Sequence, residues 1–228
     1  MRSKSFSTTL LGLLATYACM PALAQSETNS CGPLQASYGP YDFRTDGDKL
    51  PIVTSAHFTS VVEQLVKGTT GRLPGPDIAY TLRAIPNHPN ALMSMMRLGE
   101  REKTTQPFGS TYTVECWFER AIRFRPDDQV VRMIYVTFLT KKKRKPEAMG
   151  QLDVILASAK DNAFTYQNLG LLYFDLGEHQ QALAQAHRAM ELGLMRQDLR
   201  DKLKDVGAWS EPTTATTSPP SAPATNSP

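Results

Sequence analysis

The sequence predicts an all-α fold of stacked helical hairpins, and three observations carry that prediction. The first is the stretch 162–194, where Tyr166, Leu169, Gly170 and Tyr173 share one helical face, Gly177 marks a turn, and Ala182, Ala186 and Ala189 recur at i, i+4, i+7. The second is repetition at a step of about 34 residues. That step carries Ala182, Ala186 and Ala189 back to Ala148, Leu152 and Ile155, and Asn162 back to Asp128, so both phases open with a helix N-cap residue. A further step from Leu152 and Ile155 reaches Phe118 and Ala121. The third is extent: helical periodicity runs through most of the chain that follows the leader, enough for one all-helical domain with loose ends.

Taken in order, Arg2 and Lys4 precede an apolar run from Leu10 to Ala18, and Ala22-Leu23-Ala24 follows as a small-x-small site. Residues 1–24 therefore read as a secretory signal peptide cleaved between Ala24 and Gln25, since the run is too short for the ~20 apolar residues of a spanning helix. Residues 25–56 form a turn-rich arm with Gly39-Pro40 and Asp46-Gly47-Asp48. Residues 57–91 are expected to cap the stack as an irregular helix pair: Phe58, Val61, Val62, Leu65 and Val66 mark one helix, and Ile78, Leu82 and Ile85 the next. Repeats follow at 92–128, 129–162 and 163–196; the inter-helix turn of the first, around Thr104 to Ser110, is longer than the period allows. The last pair needs a lid, and a helix within 197–209, with Leu199, Leu203 and Val206 as its stripe and Trp209 folding back, supplies it. The Pro/Thr/Ser/Ala tail at 210–228 reads as disordered.

An aromatic, then Leu-Gly, then tyrosine, then a turn glycine and two spaced alanines make 162–194 resemble the tetratricopeptide repeat. The resemblance extends over 57–209, with Leu98-Gly99 in the Leu-Gly slot of the first repeat and Tyr135-Val136 in that of the degenerate middle one, where Lys143 stands for Gly177. The leader, the Cys-Gly-Pro arm and the stretch from Cys116 to Pro126 also look like a group of exported bacterial repeat proteins, which implies no activity. In the repeat family the first helices line a concave groove. By phase that implies Met93, Met96, Arg97 and Glu100, then Val130, Met133 and Thr137, then Phe164, Gln167, Leu171 and Phe174, a methionine-bearing lining suited to an amphipathic or extended apolar peptide. The lysine and asparagine set with which some family members clamp a C-terminal carboxylate is missing.

Removing residues 1–24 takes away Arg2 and Lys4 and no acid, so the formal charge of +3 falls to +1 and nothing global suggests nucleic acid. Cys31 and Cys116 then remain, and in an oxidising compartment they read first as a disulfide stapling the arm to the first repeat. His57, His88, His179 and His187 have no metal spacing, no Gly-rich phosphate loop is present, and neither a catalytic residue set nor a cofactor or metal site is readable. Two basic groups stand out: Lys141-Lys142-Lys143-Arg144-Lys145, read as a solvated turn, and Arg120, Arg123, Arg125 and Arg132, which together could meet a carboxylate or phosphate. The expectation is a non-enzymatic periplasmic or secreted adaptor for a protein or peptide of the cell envelope. The alternative is an enzyme or carrier that takes an anionic envelope polymer or small molecule on the arginines.

Overall fold

Asn162 turns its side chain back to accept the Thr165 N–H, and Asp128 does the same for Val130 and Val131, in the computed structural model, which describes residues 31–194 and 196–212. These caps satisfy N–H groups that the first helical turn leaves without partners. They open the first helices of two hairpins, Gln129–Lys141 (α6) with Lys145–Ser158 (α7) and Ala163–Asp175 (α8) with His179–Glu191 (α9). Ala163 follows Gln129 by 34 positions and His179 follows Lys145 by the same 34, so the second hairpin repeats the first residue for residue at its helix starts. Their turns repeat as well. Gly177 and Lys143 both adopt positive φ, 77° and 58°, and the lysine takes a left-handed conformation that costs a glycine little.

Upstream lie Leu50–His57 (α1), the single turn Ser60–Glu63 (α2), Gly75–Ala84 (α3), Pro89–Glu102 (α4) and Val114–Phe124 (α5); Asp198–Asp205 (α10) ends the set, and no strand occurs among the described residues. First helices touch first helices, α4 against α6, α6 against α8 and α8 against α10. One apolar core runs through the pairs from Phe58 and Val62 to Leu199 and Leu203. At Gly170 a Cβ would lie 2.3 Å from Leu199 Cδ2 and 3.2 Å from the Ala182 carbonyl, so a larger residue there would have to push the Leu199 side chain aside where α8 meets α9 and α10. No described helix is long and apolar enough to cross a membrane.

Several boundaries differ from the sequence reading. The arm is helical from Leu50 because Pro51 sits in the first turn, where its missing N–H costs nothing, whereas the helix expected from Phe58 to Val66 shrinks to α2. Phe58 departs from helical dihedrals and Leu65 takes positive φ, yet both are buried beside Val62 of α2: their spacing reflected burial of a largely irregular segment. Val206 is 48 % exposed and leaves the stripe of the lid. Ser210 and Glu211, counted with the tail in the sequence reading, are held: the Ser210 carbonyl accepts from His187 Nε2 at 2.8 Å and Glu211 pairs with Arg200 at 2.8 Å. Trp209 packs partly buried beside them. The leader at 1–24, residues 25–30 and the tail from 213 lie outside the described residues.

Candidate functional site

Two cavities open along α4 and α6, and Met96 lines both. The smaller, about 280 Å³, is walled by Met93 and Met96 of α4, Met133, Ile134 and Thr137 of α6, and Asn168, Leu171 and Leu172 of α8. It brings together five residues anticipated for a groove: Met93, Met96, Met133, Thr137 and Leu171. Val130, 52 % exposed, and Phe164, 62 % exposed, lie one turn before Ile134 and Asn168 on the same helix faces and extend the apolar surface.

Three of the anticipated residues go elsewhere. Arg97 donates to the Glu63 carbonyl at 3.1 Å, on the α2 side of α4. Gln167 is buried and donates to Asp198 Oδ1 at 2.7 Å, under α10. Phe174 stacks on His179 and receives the Lys202 ammonium over its ring at 5.2 Å. Ile134, Asn168 and Leu172 were missed because neighbouring positions on a helix differ by about 100° in direction, and the position of α10 decides which of Gln167 and Asn168 is covered.

Glu100 belongs to the larger cavity, about 820 Å³, between the C-terminal half of α4, the loop 103–113, the first turn of α5 and the end of α6. Its floor includes Met96, Val114 and Phe138, and Glu100, Glu115, Lys141, Lys142 and Arg144 edge it. Lys141 pairs with Glu100 at 2.8 Å, and Arg144 pairs with Glu115 at 2.5 Å and also with Glu147. Tyr135 donates its hydroxyl to Glu115 Oε1 at 2.9 Å. Burial, then the Glu115 contact, push that hydroxyl well above its usual range and keep it a donor.

The arginine group does not form an open anion site. Arg120 is buried, donates to the Cys31 and Pro33 carbonyls at 3.0 and 2.6 Å, and lies over the Tyr112 ring at 4.6 Å. Arg123 donates to the Gly32 carbonyl at 2.7 Å and Arg125 pairs with Asp42 at 2.7 Å. Arg132 donates to the Pro126 carbonyl and to Gln151. Asp127 pairs with Arg44 at 2.9 Å. Three of the four arginines thus hold the arm against α5, which local sequence cannot reveal because the acceptors lie more than 80 residues upstream.

The arm is fastened further. Cys31 and Cys116 form a disulfide, with Glu119 Oε2 at 2.9 Å from Cys31 Sγ; the two sulfurs bond each other, so this trio offers no thiolate for a metal. Asn87 donates to both Asp42 and Asp128 at 2.7 and 2.9 Å, and Arg44 pairs with Asp42 as well. Burial alone would raise the Asp42 carboxyl, but the hydrogen bonds from Arg44 and Asn87 outweigh it and hold it far below the usual carboxylate range.

The histidines are tied into structure. His57 Nδ1 lies 2.9 Å from the buried Asp77 carboxylate, which also accepts from Thr69 and Thr70. His88 caps α4, its Nδ1 accepting the Ala91 N–H at 3.3 Å, while its ring lies against Phe43 and Phe58. His179 and His187 pack on Phe174 and Trp209. No protein-family model matches the chain, and no curated protein is similar to it.

Proposed function

We propose that this chain is an exported, non-enzymatic adaptor of tetratricopeptide-repeat type, working in the periplasm or outside the cell and binding a segment of another envelope protein in the groove across α4, α6 and α8. The observation that carries this reading is the apolar cavity walled by Met93, Met96, Met133, Ile134, Leu171 and Leu172, with Val130 and Phe164 exposed beside it. Methionines adapt their shape to a partner, and three helices that each contribute one stripe suit an amphipathic helix or an extended apolar stretch. The 34-residue recurrence of helix starts and the contacts between successive first helices support the repeat reading. The leader supports export. The competing reading, an anionic ligand on Arg120, Arg123, Arg125 and Arg132, lacks support, because those guanidinium groups are engaged by the protein's own acceptors.

The test is capture of a crosslinked envelope partner by Met133→Ala and Phe164→Ala proteins whose melting has been checked. Truncating an apolar anchor commonly costs about 2 kcal/mol, roughly thirtyfold in affinity. Variants that melt as the parent does and still capture the same partner would remove the groove from consideration.

A further inference from the structure

Two departures from the repeat pattern meet at one place. The turn of the first hairpin spans residues 103–113, against 142–144 and 176–178 in the other two, and the basic run 141–145 begins where α6 ends. The 820 Å³ cavity lies between them, with Thr104, Thr105 and Thr113 from the long turn on one wall and Lys141, Lys142 and Arg144 on the other. Long connections in a compact helical domain commonly carry function.

The turn is a built wall. Thr105 accepts the Val114 N–H at 2.8 Å, Trp117 Nε1 donates to Ser110 Oγ at 2.9 Å, and the Phe108 N–H donates to Glu102 at 2.8 Å. The floor is already in place, since Met96, Val114 and Phe138 are held by the core and expose only 7, 4 and 6 % of their surface. A volume of 820 Å³ falls within the ~300–1,000 Å³ range of small-molecule sites.

Charge at the rim narrows the ligand. Lys141 and Arg144 are answered by Glu100 and Glu115. Lys142 has no carboxylate within ion-pair distance among the described residues, and its ammonium stands 5.7 Å from the centroid of the Phe138 ring, the same ring that floors the cavity. We propose that this cavity binds a small amphiphilic monoanion, an apolar chain or ring system bearing one carboxylate, with its body on Met96, Val114 and Phe138 and its charge on Lys142. A second negative charge would approach Glu100 or Glu115, which keeps the ligand singly charged. Lys142 also complements the C-terminal end of α6, so the test separates the charge from the apolar body.

The probe is dansylaminoundecanoic acid, titrated by fluorescence against the protein, with its methyl ester as the uncharged counterpart. The acid is expected to bind saturably. Lys142→Ala should weaken the acid about tenfold and leave the ester unchanged, because only the charge-assisted contact is lost. Thr105→Trp, which fills the cavity from its wall, should weaken both probes while the thermal melt stays that of the parent. Absence of saturable binding by the acid overturns the proposal, and so does equal loss of acid and ester in Lys142→Ala or no loss in either. Binding that is lost in Met133→Ala and retained in Thr105→Trp also overturns it, since the probe would then sit in the groove.

Discussion

Lowering the pH from neutral should weaken the fold through His88. Burial pushes the His88 imidazole down from 6.5 to about 4. The ring has 5 % of its surface exposed, packs against Phe43 and Phe58, and uses Nδ1 to accept the Ala91 N–H at the start of α4. A proton on Nδ1 would remove that acceptor and place a charge among apolar rings. In the unfolded chain the same imidazole takes its proton near 6.5. Between the two values the unfolded state therefore binds more protons, and stability falls as pH falls through that window. At ~1.36 kcal/mol per pKa unit the whole window is worth about 3 kcal/mol, most of it lost by about pH 4.5. Asp42 and Asp77, whose folded values lie below 3.8, add their losses only further down. Glu119 acts with the opposite sign, because burial and then Glu115 raise its carboxyl above the usual value, so protonating it favours the folded state. Urea unfolding of the parent and of His88→Asn between about pH 7 and about pH 4.5 isolates the histidine, because asparagine keeps an N-cap acceptor and does not titrate. The variant should start less stable, having lost the ring packing, but its stability should fall less steeply as pH drops. Parallel loss in the two proteins would refute the reasoning.

Two further outcomes can be checked alongside it. Reducing the Cys31–Cys116 bond, or replacing both residues by serine, should lower stability by about 4 to 5 kcal/mol on the chain-entropy account of a closure spanning 85 residues, read by chemical denaturation with and without reductant. Protein recovered from an oxidising compartment should show no free thiol from this pair. Ala182→Leu should destabilise by about 1 to 3 kcal/mol through overpacking, since Ala182 is fully buried and its carbonyl lies against Gly170 on the facing helix. A thermal melt equal to that of the parent would show that α8 and α9 do not meet there.

What the sequence made legible is what neighbours along the chain determine. The caps at Asp128 and Asn162, the left-handed turn positions Lys143 and Gly177, and the buried alanines of α9 all follow from spacing and residue type. Prediction failed where a distant segment decides the outcome. The spacing of Phe58, Val62 and Leu65 matched one continuous helix, but only Val62 sits in a helical turn, α2, while Phe58 and Leu65 fill the core from the irregular chain on either side of it. Arg120 and Arg123 looked like an anion site until the carbonyls of Cys31, Gly32 and Pro33 came to meet them. Gln167 was assigned to the groove, and the lid α10 took it instead. The larger cavity had no signature of its own. Its two walls were each visible as an oddity, a long turn and a run of cations, but nothing in the sequence says that they face each other.

The fastening of the arm has a consequence for how this chain folds. Most of its contacts join a helix to the next or to the one after, an arrangement in which each hairpin can form soon after its own residues are available. The arm is the exception, because Cys31, Gly32 and Pro33 meet Cys116, Arg120 and Arg123 across more than 80 residues of chain. The segment that comes first among the described residues therefore waits for α5 before its contacts can form. Until α5 exists, the carbonyls of residues 31–33 have no guanidinium to meet and Cys31 has no sulfur to join. A locally ordered array is thus closed at its front by a long-range clasp, and the loop it closes carries an entropy cost that the neighbouring hairpins do not meet.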